Sequence, residues 1–151
     1  MRRASLVPAL AIEPPYRLEE QVGHLLRRAH QRATAIFMAE LGDRFDLTPT
    51  QYAVLVKLHD EGGQSQNRLG RLTAMDPATV QGVTRRLEER GLIERAADAG
   101  DRRRFVLRLT AAGTTLVRAA MARGRIVSEA TLAPLPVPEQ ARLLTLLKKL
   151  A

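Results

Sequence analysis

Apolar positions recur at three- and four-residue steps from Arg17 to about Leu41, where Leu18, Val22, Leu25, Ala29, Ala33 and Ile36 form a stripe that Leu26, Phe37 and Leu41 widen. That period predicts a long amphipathic helix. The pattern restarts at Thr48-Pro49-Thr50-Gln51. Thr48 can cap, Pro49 suits the first helical position and Gln51 completes a capping box. A second helix is therefore predicted from Pro49 to about His59, with Tyr52, Leu55, Val56 and Leu58 inward. Gly62 and Gly63 stop it. Ser65 can cap a short helix that carries Leu69 and Leu72 to about Ala74, and Asp76-Pro77 opens another that runs to Glu89 or Arg90 before Gly91.

Beyond Gly91 the period changes. Two β-type runs, Leu92 to Ala96 and Arg104 to Leu109, flank a tip that holds Asp98, Gly100, Asp101, Arg102 and Arg103, which is the signal of a hairpin. Thr110 can cap a long helix through Leu116, Val117 and Ala120 to about Thr131. Pro134, Pro136 and Pro138 then break the chain before a last helix from Glu139 to Leu150. The expected fold class is mainly α with a small β-hairpin wing: a winged helix-turn-helix with long helices at both ends. Its expected parts are an N-terminal arm (1–16), a first long helix (17–46), the winged module (47–110) and the C-terminal helices (111–151).

Charge narrows the choice of partner. The chain has 151 residues and a formal charge of +8. Gly62 to Thr110 holds ten arginines against six acidic residues, whereas residues 1–50 hold seven basic against six acidic. A basic excess confined to one module is a statement about what that module meets. There is no cysteine, so disulfides, thiolate metal sites and thiol-based sensing are excluded. His24, His30 and His59 have no cysteine and no tight Asp cluster beside them, a poor metal signature, and no cofactor motif appears. The opening MRRASLVPALAIEPP has an apolar run of only about seven residues, at the bottom of the range for a secretory signal, and Pro8 interrupts it, so a signal is not expected. No later stretch approaches the roughly 20 apolar residues of a membrane span. A cytoplasmic protein with an extended N-terminal arm is expected.

On the helix from Pro77, Val80, Val83 and Leu87 share one side. Steps of about 100° per residue put Ala78, Gly82 and Arg85 opposite, flanked by Thr79, Gln81 and Arg86. Small residues permit close approach to a groove floor, Gln can pair with adenine, and Arg with guanine or phosphate. A solvated surface helix would also show Arg85 and Arg86. The order helix, turn, helix and hairpin favours a recognition helix followed by a wing. An arginine at the wing tip suits the negative potential of a narrow minor groove. Asp101 has the wrong charge for DNA and is expected either to pair with Arg103 or to cap the turn. Arg102 and Arg104 are expected at phosphates.

Three segments resemble the MarR family of bacterial transcription regulators: LTPTQYAVL at Leu47 to Leu55, PATVQGVTRRLEERGLIER at Pro77 to Arg95, and DRRRFVLRLTAAG at Asp101 to Gly113. The resemblance runs from about Arg17 to Leu150. It implies a homodimer whose terminal helices interlock, and two recognition helices reading half-sites about 34 Å apart on a pseudo-palindromic operator in double-stranded DNA. By position, Asp101 and Arg103 match the family's Asp-x-Arg wing pair and Arg86 matches a phosphate-contacting arginine. Ser65, Gln66 and Asn67 open the preceding helix, where amides and side chains can meet phosphate.

The resemblance also implies a small aromatic carboxylic acid effector held between the dimerisation helices and the winged module. His24, Arg28 and Gln31 lie at i, i+4 and i+7 on the first helix, with His30 and Arg27 at the edges. Arg offers a carboxylate a two-pronged contact and His one further donor. Solvated or dimer-contacting side chains would leave the same pattern. The run QVGHLLRRAHQRATAIF resembles family regulators of aromatic and N-heteroaromatic acid breakdown, hydroxynicotinate-type ligands included. An enzyme is not expected, because no nucleophile triad, paired carboxylates or phosphate loop stands out. A repressor is expected; an activator of the same family or a non-specific architectural DNA binder are the alternatives.

Overall fold

A computed structural model describes residues 15–151, so the arm expected over 1–16 lies almost wholly outside the described residues. The chain divides into two compact units, Met1–Gln31 and Arg32–Ala151. In the first, a 3-10 turn at Leu18–Glu20 precedes α1 (Val22–Phe37). The Gln21 side-chain oxygen accepts from the His24 N–H at 3.0 Å, satisfying one of the open donors at the helix start. The long helix expected from Arg17 thus begins at Val22. Leu18, Val22, Leu25 and Leu26 are exposed.

In the larger unit, the end of α1 widens into a π-helical turn at Met38–Gly42, followed by one α turn at Asp43–Phe45. Asp46 then takes a left-handed conformation (φ 51°) that ends the helix, a place where Asp is tolerated better than most residues. Apolar periodicity alone could not show this change of pitch. Next come α2 (Pro49–Glu61), α3 (Gln66–Leu72) and α4 (Pro77–Glu89). The expected caps form. Gln51 N–H donates to Thr48 Oγ1 at 3.2 Å and the Gln51 side chain accepts from Thr48 N–H at 3.0 Å. Ser65 accepts from Arg68 N–H, and Asp76 from Thr79 N–H.

Strands β1 (Ile93–Ala97) and β2 (Phe105–Leu109) pair antiparallel, Ile93 opposite Leu109 and Ala97 opposite Phe105. Gln64, in the loop before α3, bridges Leu107 through two backbone hydrogen bonds of 2.8 and 2.9 Å, so the wing is anchored on a third segment that the apolar pattern did not reveal. Helices α5 (Ala111–Leu132) and α6 (Val137–Leu150) follow. The last helix starts two residues earlier than expected because Pro138 lies in its first turn, where no backbone donor is required.

The core is one cluster. Leu41, Leu47, Val54, Leu55, Leu69, Val80, Leu87, Ile93, Leu107 and Val117 are buried in it. On α2, Leu55 and Leu58 are buried as expected and Val54 joins them, while Tyr52 and Val56 pack partly buried at the border of the core. The Tyr52 ring meets Phe37 edge-on, centroids 5.5 Å apart. Burial raises the Tyr52 hydroxyl's pKa above its ordinary value, and the Asp60 charge adds to the effect. None of the described helices is long and apolar enough to cross a membrane.

Candidate nucleic-acid interface

The turn between α3 and α4 is built on close backbone approach. Met75 N–H donates to Gly70 O at 2.9 Å, and a Cβ on Gly70 would lie 3.2 Å from Met75 O. Ala74 takes φ 53° to reverse the chain. Buried Thr84 donates to Val80 O at 2.9 Å and lies 3.5 Å from the Gln66 side-chain oxygen, which links α4 to the first residue of α3. The two helices therefore hold a fixed angle.

With Val80, Val83, Thr84 and Leu87 buried, α4 turns Ala78, Gln81, Gly82 and Arg85 outward around a shallow depression of about 240 Å³. A Cβ added at Gly82 would meet nothing within 4 Å, so the space over that glycine is open. Arg85 Nε lies 3.8 Å from Glu89 one turn on. Arg86 sits around the helix from this face and lines a separate cleft of about 310 Å³ with Thr48, Gln51, Glu89 and Arg90. Thr79 is occupied locally: its hydroxyl donates to Asp76 at 2.6 Å and its N–H at 2.9 Å. The hydroxyl hydrogen bond, then the backbone one, holds the Asp76 carboxyl below its ordinary pKa. On α3, Ser65 caps, Gln66 is half-buried against Thr84, and Asn67 is exposed.

The wing tip is ordered by its acids. Asp98 accepts from Gly100 N–H at 2.8 Å, and Asp101 Oδ1 accepts from Arg103 N–H at 3.0 Å. Asp101 caps the turn through the backbone of Arg103, and the guanidinium it meets belongs to Arg104, at 3.6 Å. The side-chain pair is thus shifted by one residue from Arg103. Arg102 and Arg103 are exposed.

Ion pairs sort the arginines of this module. Arg68 meets Glu61, Arg85 Glu89, Arg90 Asp46, Arg95 Glu88, Arg104 Asp101 and Arg108 Glu94. Among the described residues, Arg71, Arg86, Arg102 and Arg103 have no carboxylate partner. The Arg95–Glu88 pair, at 2.8 Å, joins β1 to the recognition helix, and Arg108–Glu94 crosses the hairpin at 2.8 Å. Glu94 and Arg108 are register partners, so a strand-pairing rule could have found them. Nothing in the local sequence marks Arg95 or Arg90 as structural.

The four side chains proposed for an effector stand on α1 within the N-terminal unit. His24 is half-buried, its Nδ1 3.4 Å from Arg27 Nη2, while Arg28, His30 and Gln31 are exposed.

Residues 47–105 match the model of the MarR family. The transcriptional repressor NicR of Pseudomonas putida is 42% identical over 136 residues, covering 90% of this chain and 85% of that protein. A probable transcriptional regulator from Pseudomonas aeruginosa superposes with a TM-score of 0.82 at 47% identity, over 89% of this chain and 100% of that one. Bordetella bronchiseptica BpsR, whose DNA binding is regulated by 6-hydroxynicotinic acid, gives 0.83 at 40% identity over 90% and 96%.

Proposed function

The chain belongs to the MarR family of transcription regulators and is not an enzyme, and from that premise we propose that it is a homodimeric, sequence-specific repressor released from a pseudo-palindromic operator by a small aromatic acid. The observation that carries the DNA-binding half is the outward face of α4. Its small and polar residues Ala78, Gln81, Gly82 and Arg85 surround open space, and the wing beside it presents Arg102 and Arg103 without acid partners. Such a helix reads base edges in a major groove while the tip arginine enters the adjacent minor groove. Ser65, Asn67 and Arg86 serve at the phosphates.

Dimerisation through the terminal helices is supported by their apolar residues. Leu18, Val22 and Leu25 near the first end and Val137, Leu144, Leu146 and Leu150 near the last are exposed in the single chain. Apolar surface of this extent marks an interface. The effector is an aromatic or N-heteroaromatic carboxylic acid, with His24, Arg28, His30 and Gln31 as its polar contacts. The support is the chemistry of an arginine and imidazole pair toward a carboxylate, together with BpsR's regulation by 6-hydroxynicotinic acid. The site of action is the cytoplasm.

Selection of bound genomic fragments by the purified protein tests the first half, with enrichment of a two-fold symmetric site as the expected result. Titration of 6-hydroxynicotinate, salicylate and benzoate against the selected complex tests the second. Equal binding to selected and random DNA would establish a non-specific binder instead. Release by none of the acids would reject the effector class.

A further inference from the structure

Phe105 opens β2 and is 68% exposed. Among the described residues from Leu47 to Thr110 it is the one large apolar side chain left in water. It shares a strand face with buried Leu107, so the ring lies on the side of the wing that faces the helices, past the edge of the core. There it borders a small cleft of about 50 Å³ with Gln66, Arg95, Val106 and Leu107. Gln66 begins α3, and Arg95 is held by Glu88 of α4. The cleft therefore runs between wing and helix-turn-helix, and Arg103 and Arg102 stand two and three residues from the ring.

We infer that the Phe105 ring packs against the deoxyribose edge of the DNA strand that passes between the recognition helix and the wing. This rests on the reading of the module as a DNA binder and adds to it an apolar contact. The cationic surroundings select a polyanion, and the sugar edge is the apolar part of a duplex that lies between its phosphates. An aromatic hydrocarbon has no donor or acceptor for base edges, so its contribution is independent of sequence. It also releases no counterion, so it is independent of salt.

Those two properties define the test, which uses the full chain and a selected operator fragment alongside a random duplex of equal length. Phe105→Ala is expected to weaken both complexes by the same factor, about 5- to 30-fold. The slope of log affinity against log salt stays at the wild-type value, and so does the thermal midpoint. Arg103→Ala, as control, lowers the slope by about one. Phe105→Leu recovers part of the loss. Unchanged binding by Phe105→Ala would overturn the inference, as would a loss accompanied by a lower slope or a lower thermal midpoint. Failure of the wild-type protein to bind DNA with a salt-dependent affinity would instead reject the DNA-binding reading itself.

Discussion

Arg90, at the C-terminal cap of the recognition helix, donates one guanidinium nitrogen to the carbonyl oxygen of Asp46, where the π-widened end of the preceding helical segment turns over. Its other terminal nitrogen donates to Phe45 O at 3.2 Å. The last carbonyls of a helix have no partner of their own, and here the fork of one arginine satisfies two of them. Replacing Arg90 by Ala is expected to lower stability by about 1.5 to 3 kcal/mol, the range for hydrogen bonds to charged groups. Arg90→Lys recovers less than half, because an ammonium cannot span both oxygens. Urea denaturation of the three proteins measures both values.

Gly82 separates stability from binding. Its φ is ordinary and the space above it open, so Gly82→Ala is expected to stabilise the helix by about 0.5 to 1 kcal/mol. The added methyl occupies the depression between Ala78, Gln81 and Arg85, and operator affinity falls. A variant that melts higher and binds as tightly as the wild type would show that the α4 face does not approach a groove floor.

Arg85 carries specificity if the outward face reads bases. Arg85→Ala is expected to cost about 1 to 3 kcal/mol on the operator and much less on random DNA. Competition anisotropy with both duplexes gives the ratio, and an equal loss on each would place Arg85 at the backbone.

Gly113 is required by contact rather than by dihedral angle. A Cβ there would overlap the Leu92 carbonyl oxygen, which already accepts from Thr110 N–H at 3.1 Å. Thr110 adds two more bonds at the same corner, donating to Gly91 O and accepting from Gly113 N–H. Gly113→Ala is expected to destabilise by about 3 kcal/mol or more, because backbone on both sides must shift. A midpoint within error of the wild type would contradict the packing of α5 on the hairpin.

Acid acts on the recognition helix through its cap. The Asp76 carboxyl has a folded-state pKa below its ordinary 3.8. Its contribution is therefore complete above the ordinary carboxylate range and is lost as pH falls through the lowered value. Asp76→Asn keeps a cap but removes the charge. The thermal midpoint of the wild type is expected to exceed that of the variant at neutral pH, and the gap to close below about pH 4. A gap that stays constant to pH 2 would mean the charge plays no part.

The helix starts were legible because their causes are local. Thr48, Ser65, Asp76 and Thr110 each bind a backbone N–H three residues ahead, and that spacing is written in the chain. The hairpin was legible for the same reason, with strand bounds that differ by one residue: Ile93–Ala97 and Phe105–Leu109 against the expected Leu92 to Ala96 and Arg104 to Leu109. The π turn at Met38–Gly42 was not, since apolar steps of three and four do not distinguish it from an α-helix. Side-chain partners were the hardest to read. Asp101 meets Arg104 rather than Arg103, and Arg90 finds its acceptors 44 and 45 residues away. A count of arginines therefore overstated the cations without an acid partner, because six of the ten lie beside a carboxylate.

The strut between Glu88 and Arg95, with the Gln64 bridge to Leu107, makes the recognition helix and the wing a caliper of fixed jaw. One protomer then presents a constant span between the α4 face and the wing tip, the two parts proposed to meet the major and minor grooves. On the proposed dimer, operators of different half-site spacing are accommodated only by moving whole calipers apart. On the same proposed reading, an effector that loosens DNA would act on that separation, leaving the reading head of each protomer intact.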